Sequence, residues 1–291
     1  MLSNCSRFLT KKAPAGVQFG RKAIPGIGRI ILAASCKGGV GKSTVALNTA
    51  LSLQKQGAKV GLFDADIYGP SLPLMTATTD KYLYSDKDAN FLPVNVYGLD
   101  VVSLGNAAPA DAALLWKGPL VGKILSEFAR KCCWPALDYL VVDTPPGTGD
   151  VTLSLASQLP IDGTLLVTTP QKASYIDVIR SVEAFKKLNI PILGVIQNMD
   201  SFICPHCNSK NIIFNGTSGK KIAKAAGVEL IGQLPIDLKI ATAGDSGKPA
   251  VLENNSQYTQ AFDEIAKKIM AKLPKQAPRY PPRQIPKSLN N

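Results

Sequence analysis

A chain of 291 residues with 45% hydrophobic content can bury one large α/β core or two small ones. Its formal charge of +12 suggests a nucleic-acid binder only until it is located. Residues 1–63 carry ten Lys and Arg and no acid, residues 272–291 carry five more and no acid, and the stretch between holds 18 basic against 21 acidic residues. The core is therefore near neutral with basic ends, which is not a basic face for nucleic acid, and no window approaches the ~18 apolar residues of a membrane span.

The first 29 residues hold Arg7, Lys11, Lys12, Arg21, Lys22 and Arg29 among Leu2, Ser3, Ser6, Phe8 and Leu9. Arg-bearing, Ser-containing and acid-free is the pattern of a mitochondrial transit peptide, expected over 1–23 without regular structure, with the matrix as destination. A solvated basic tail is the plainer alternative. No long apolar run follows, which argues against secretion. Pro25-Gly26 marks the start of an ordered domain over 24–272. Residues 273–291, rich in proline and positive charge, read as a disordered tail.

Arg29–Ala33 is apolar and β-branched, the composition of a buried parallel strand. Ala34-Ser35-Cys36-Lys37-Gly38-Gly39-Val40-Gly41-Lys42-Ser43-Thr44 follows, and then Val45, Leu47, Leu51 and Leu53 in a helical pattern. A glycine-rich loop between strand and helix turns successive N–H groups toward one point at a helix N-terminus, an anion cradle. Lys42 supplies positive charge for β- and γ-phosphates, and the Ser43 hydroxyl can ligate Mg²⁺, so residues 37–44 are the expected site of a nucleoside triphosphate. Cys36 stands where the common G-x-x-x-x-G-K-[ST] spelling has glycine, and Lys37 adds a second lysine.

Lys59–Asp64 reads as the second strand, ending in Asp64-Ala65-Asp66. Two aspartates one residue apart, at the strand end where open α/β sheets bind ligands, favour a switch segment. Residues 72–98 are polar and uninformative apart from a strand near Phe91–Val96. Leu99–Leu104 is another strand, and Trp116-Lys117-Gly118-Pro119 opens a helix to about Lys131. Adjacent Cys132 and Cys133 read as packing residues, because their side chains diverge. Leu137–Asp143 is a buried strand ending in a carboxylate, the Walker B arrangement, which places Asp143 near Mg²⁺. Thr144–Asp150 holds two prolines and two glycines, forbidding regular structure and suiting a γ-phosphate sensor. Gly163–Thr169 and Pro191–Asn198 are strands, with a helix over Ser174–Leu188 between them. Gly219–Ala226 is a short helix, Glu229–Gly232 a strand and Tyr258–Lys272 a terminal helix.

Met199–Cys207 holds Cys204-Pro205-His206-Cys207. C-x-x-C lets two thiolates converge on one metal, but a single copy is also consistent with a redox pair or half a zinc site. One protomer then offers two thiolates where a tetrahedral zinc or a four-iron cluster takes four, and a homodimer would supply the rest. His206, inside the loop, would strain to reach the same metal.

The K-G-G-V-G-K-S-T spelling resembles the deviant P-loop ATPases, which include the MinD- and ParA-type proteins and nitrogenase iron protein. D-x-P-P-G-T-G-D and C-P-x-C narrow the resemblance to the Mrp/NUBPL-type branch over about 24–272. The resemblance implies a doubly wound α/β domain with a mostly parallel sheet and a nucleotide-sandwich homodimer. It also implies a [4Fe-4S] cluster held by Cys204 and Cys207 of two protomers, weak ATP hydrolysis, and delivery to apo iron–sulfur proteins, complex I subunits in the mitochondrial branch. In the family the extra lysine, here Lys37, reaches the partner's nucleotide. Asp66 orients the attacking water, Asp64 supports the Mg²⁺ shell, Asn198 reads the adenine edge, and Leu234–Asp237 flanks it. Two rivals remain at this level: a ParA/MinD-like positioning ATPase with an incidental C-x-x-C, and a zinc-stabilised nucleotide-binding scaffold.

Overall fold

The computed structural model describes residues 20–67, 69–84, 90–106, 120–147, 150–171, 173–204, 206–207, 209–214, 216–253 and 256–285. In chain order the elements are β1 (Ile27–Ser35), α1 (Lys42–Lys55), β2 (Val60–Asp64), α2 (Leu72–Met75), β3 (Val94–Val96) and β4 (Leu99–Ser103). Next come α3 (Leu120–Lys131), β5 (Leu137–Asp143), α4 (Asp150–Gln158), β6 (Gly163–Thr168), α5 (Ala173–Lys187) and β7 (Ile192–Gln197). The last are β8 (Phe202–Ile203), β9 (Lys210–Asn211), α6 (Ser218–Ala226), β10 (Leu230–Gln233), α7 (Leu238–Asp245) and α8 (Gln257–Lys272).

Eight strands form one sheet in the order β10-β7-β6-β1-β5-β2-β4-β3. All pairs are parallel except β3–β4 at one edge. Successive side chains of β1 feed opposite faces, Ile31 and Ala33 packing with α1 and α8, Ile30 and Leu32 with α3, α4, α5 and α6. Covered on both faces, the central strands are predominantly apolar, the composition of a doubly wound sheet. The chain leaves β1 to build β2 on one side and β6 on the other, so the switch point lies at the carboxyl end of β1, where the glycine-rich loop begins.

The expected strands and helices recur within one to four residues of their boundaries. Trp116 and the start of its helix lie outside the described residues, as do residues 1–19 of the expected presequence and Thr148–Gly149 of the switch. Cys132 and Cys133 are buried, as packing residues. Sequence reading gave no signal for α2, α4, α7 or the β8–β9 hairpin.

The carboxy-terminal stretch departs from expectation over its described part. Residues 274–285 contain no helix or strand, yet they are tied along the amino ends of β1 and β5. Gly26 N–H donates to the Tyr280 carbonyl at 3.0 Å, Lys275 Nζ to the Gly57 carbonyl at 2.6 Å, and Arg283 Nε to the Arg130 carbonyl at 2.7 Å. Asp162, its side chain 7% exposed, joins both ends, accepting from Arg279 at 2.6 Å, Arg29 at 3.0 Å and the Ile30 N–H at 2.9 Å. At Gly28 a Cβ would lie 1.9 Å from the Gln276 carbonyl oxygen, so only glycine lets the strap approach β1. Prolines that forbid helix still permit this extended docking.

Candidate functional site: a phosphate cradle, a base cavity and a cysteine hairpin

Lys37–Thr44 line a cavity of about 250 Å³, together with Ser35, Asp66, Ser71, Met75 and Pro146. Lys37, Gly38 and Gly39 are exposed at its rim, while Lys42 is 6% exposed at its floor. Gly41 adopts φ +80°, and a Cβ there would meet Asn198 Nδ2 at 2.3 Å, so the loop spelling is fixed by shape here. The Cys36 side chain points away, its sulfur 2.6 Å from Ser181 Oγ on α5. It leaves the phosphate-facing backbone free, which accounts for a side chain in place of the usual glycine.

Asp64 and Asp143 are register partners at the carboxyl ends of neighbouring parallel strands, both fully buried. Lys42 Nζ donates to Asp143 Oδ1 in a short buried ion pair. Burial pushes the Asp143 carboxyl up, with the Lys42 ammonium acting against it. Asp64 is raised to about 8, by burial first and by the Asp143 charge second. Both Asp64 oxygens are engaged, Oδ1 by the Asp66 N–H at 3.1 Å, Oδ2 by Ser103 Oγ at 3.0 Å and the Leu72 N–H at 3.4 Å. Asp64 thus braces the loop that carries Asp66 and does not line the cavity, whereas Asp66 does.

Two oxygens at this floor, Asp66 Oδ1 and Asp143 Oδ2, are buried with no hydrogen-bond partner. Orphaned carboxylate oxygens beside the Ser43 hydroxyl are the hard donor set that Mg²⁺ takes. The residues present therefore fit that ion.

A second cavity, about 430 Å³, shares Gly41, Thr44, Ser71 and Met75 with the first and continues it. Its walls are mainly apolar, among them Leu74, Met199, Pro235, Ile236 and Ile240, the lining suited to a flat base. Asn198 stands at the junction, its Nδ2 donating to the Val40 carbonyl at 2.9 Å while the residue lines the base cavity. The side chain expected to read a base edge thus also clamps the phosphate loop.

Immediately beyond, Met199 takes the left-handed φ of +59°, uncommon for a side chain of this size. The chain then runs through Ser201 into the hairpin of β8 and β9, whose turn carries Cys204 and Cys207. Cys204 is half-buried and Cys207 exposed. The two thiols lie within hydrogen-bond reach, and Ser209, foremost among the causes, holds the Cys207 thiol below its ordinary range. His206 is exposed. Among the described residues no three His, Cys, Asp or Glu side chains group to hold a metal, so a protomer brings two thiols to this point.

The hairpin and the base cavity share backbone. The Ile236 N–H donates to the Ser201 carbonyl at 2.6 Å, the Asp200 N–H to the Leu234 carbonyl at 2.9 Å, and Phe202 bridges Ile236 in parallel fashion. Asp200 also accepts from Gln233 Nε2 at 2.8 Å and from Gln197 Nε2, and lies 3.8 Å from Lys210 on β9. Sequence reading missed Asp200, Ser201, Ser209 and the α7 wall. A polar residue after a C-x-x-C offers no signal until the hairpin closes on it.

The family model described as "ParA: NUBPL iron-transfer P-loop NTPase" matches residues 26–270. An iron-sulfur cluster carrier protein of Aquifex aeolicus is 44% identical over 251 residues, 86% of this chain and 69% of the relative. The iron-sulfur cluster transfer protein NUBPL of Dictyostelium discoideum is 41% identical over 258 residues, 88% and 80% of the two chains. Among solved structures, a nucleotide-binding protein of Archaeoglobus fulgidus in complex with ADP is 32% identical with a TM-score of 0.70, covering 81% of this chain and 93% of its own. MinD of Pyrococcus furiosus, 23% identical, TM-score 0.62, covering 84% and 99%, shares the fold. With its phosphate cradle, its base cavity and its paired thiols, the chain belongs to the NUBPL-type iron–sulfur carrier family of P-loop NTPases.

Proposed function

We propose that this protein is an ATP-gated carrier that holds a [4Fe-4S] cluster between Cys204 and Cys207 of two protomers and delivers it to apo iron–sulfur proteins. Nucleotide binds along residues 37–44, with the base between Asn198, Pro235 and Ile236. Lys42 neutralises the phosphates, Lys37 reaches the partner's nucleotide, and Asp66 orients water for slow hydrolysis. Ser43 and Asp143 would hold Mg²⁺, with Asp64 supporting from beneath, and the ion would supply positive charge for the phosphates. The acceptors are complex I subunits and the compartment is the mitochondrial matrix, a reading that draws on the basic, acid-free first 23 residues. No helix among the described residues is long and apolar enough to cross a membrane, in keeping with a carrier that exchanges partners.

One observation carries the gating: the wall of the base cavity, 234–236, is hydrogen-bonded to the two residues that lead into the cysteine hairpin, at 2.6 and 2.9 Å. A base that presses on Pro235 and Ile236 presses on Ser201 and the turn beyond it. The left-handed Met199 supplies the strained joint between them. The test is anaerobic reconstitution, with iron, acid-labile sulfide and zinc measured per protomer, followed by transfer to an apo-acceptor with and without ATP. Four iron and four sulfide per dimer, with transfer that responds to ATP, are expected. Stoichiometric zinc without sulfide would establish the zinc-scaffold rival, and transfer indifferent to nucleotide would dismiss the gate.

A further inference from the structure

The turn that carries the two cysteines is organised by a third residue. Ser209 contacts both halves of it: its carbonyl accepts from the Cys204 N–H at 3.0 Å, and its hydroxyl lies 3.0 Å from the Cys207 sulfur. Asn211 Nδ2 lies 3.1 Å from the Ser209 carbonyl and 3.3 Å from its Oγ. An amide nitrogen only donates, so the Ser209 oxygen accepts from Asn211, and toward a thiolate at Cys207, which has no proton to give, the hydroxyl can only donate. The hydroxyl is thereby aimed. Among the described residues no hydroxyl bonds to the Cys204 sulfur, and Cys204 is also the more buried of the two. The pair is unequal before any iron arrives, with the exposed member carrying the donor.

We infer that Ser209 is a positioning residue for cluster release, which by its hydrogen bond to Cys207 makes that thiolate the weaker of the protomer's two iron ligands. A donor to a ligating sulfur draws electron density from the metal–sulfur bond, raising the reduction potential of a cluster and easing ligand exchange. The half-buried Cys204 then acts as the retaining ligand, while Cys207 presents the edge that an incoming acceptor thiolate can displace. The exchange leaves the electron count unchanged: an iron–sulfur bond to the acceptor forms as the bond to Cys207 breaks, and Cys207 departs as thiolate. The inference rests on the proposed reading of Cys204 and Cys207 as cluster ligands.

The test compares Ser209→Ala, Ser209→Thr and Cys207→Ala with the unaltered full chain after anaerobic reconstitution with iron and sulfide. Ser209→Ala is expected to bind ATP and load iron as the unaltered chain does. Its midpoint potential moves more negative, and iron passes to excess ferrous chelator roughly threefold to tenfold more slowly, the loss of about one ordinary hydrogen bond. Ser209→Thr, which keeps the hydroxyl, restores both. A serine that merely braced the turn would give the opposite signature, faster loss of iron at unchanged potential, and that result overturns the inference. Should Cys207→Ala lose iron while Ser209→Ala matches the unaltered chain, only the role of Ser209 falls. Should Cys207→Ala hold iron fully, the cysteine reading falls and takes this one with it.

Discussion

The ion pair at the floor of the phosphate cradle makes a prediction that separates charge balance from ligand binding. Lys42 is 6% and Asp143 0% exposed, and Asp143 Oδ2 has no hydrogen-bond partner. Replacing Lys42 with methionine keeps the length of the side chain but strands a buried carboxylate. Breaking such a pair costs about 3–5 kcal/mol, because the survivor keeps its desolvation and loses its counter-charge. At roughly 2–4 °C per kcal/mol for a domain of this size, Lys42→Met should melt about 6–20 °C below the parent without nucleotide. The double variant Lys42→Met/Asp143→Asn removes both charges and should recover to within about 1 kcal/mol of the parent, an interaction of at least ~2 kcal/mol in a double-mutant cycle. ATP binding stays lost in both, as the cradle lysine is gone. Urea unfolding of four proteins measures the cycle and fluorescent-nucleotide titration measures the binding. If the single effects add to within about 0.5 kcal/mol, Asp143 is not held by Lys42, and the description of the cradle floor as an internal ion pair is refuted.

Burial and the Asp143 charge raise the folded Asp64 carboxyl to about 8 from 3.8. A carboxyl that binds its proton more tightly folded than unfolded stabilises at low pH, so ligand-free protein should lose stability as pH rises from about 4 to 8. Asp64→Asn, which mimics the protonated group, should flatten that profile in melts across the range, and an unchanged slope would assign it to other residues. Lys37 is exposed at the rim, so Lys37→Ala should leave unfolding within about 0.5 kcal/mol of the parent while abolishing steady-state ATP hydrolysis. Hydrolysis that persists in the variant removes the cross-dimer role. Arg279 is one of three donors to Asp162, so Arg279→Ala should cost about 1 kcal/mol and Asp162→Ala roughly 2–3, since the latter also orphans Arg29 and the Ile30 N–H. Equal melting shifts for the two would mean that Asp162 does not join the chain ends.

The phosphate side of the site was legible because its chemistry is local. Residues 37–44 are contiguous, their glycines answer to backbone shape, and Asp143 closes a run of apolar residues that only a buried parallel strand explains. Fold class followed from the same alternation of apolar strands with helices. The cysteine side was half legible. C-x-x-C announced paired thiols, but β8 and β9 are two residues each, too short for any period-2 pattern, so the hairpin and the roles of Ser209 and Asn211 stayed hidden. The base cavity was partly legible, since the family resemblance placed Asn198 and Leu234–Asp237 there. The rest of its walls come from α2 and α7, two short segments far apart in sequence whose apolar residues carry no motif. The strap was misread because proline and positive charge describe both a disordered tail and an extended one. The partners that distinguish them are remote in sequence, as with Asp162, more than a hundred residues from either partner arginine.

The placement of the cysteine hairpin narrows which part of a nucleotide can act on it. The γ-phosphate end of the cradle touches the Pro146 segment, which is bonded back to β1 through the Gly147 N–H and the Ser35 carbonyl at 2.8 Å. The base end touches residues 235–236, and these are bonded to Ser201, three residues before Cys204. On the proposed reading, hydrolysis would alter the surface near Lys37, while occupancy of the base cavity would alter the approach to the thiols. ADP carries the same base as ATP. If the hairpin answers to the base, ADP should steady the cysteine turn as well as ATP in hydrogen exchange of residues 200–211, while only ATP should engage Lys37 across two protomers. Protection of those residues by ATP alone would instead route the signal through the γ-phosphate, and the Ser201–Ile236 bond would then be mere scaffolding.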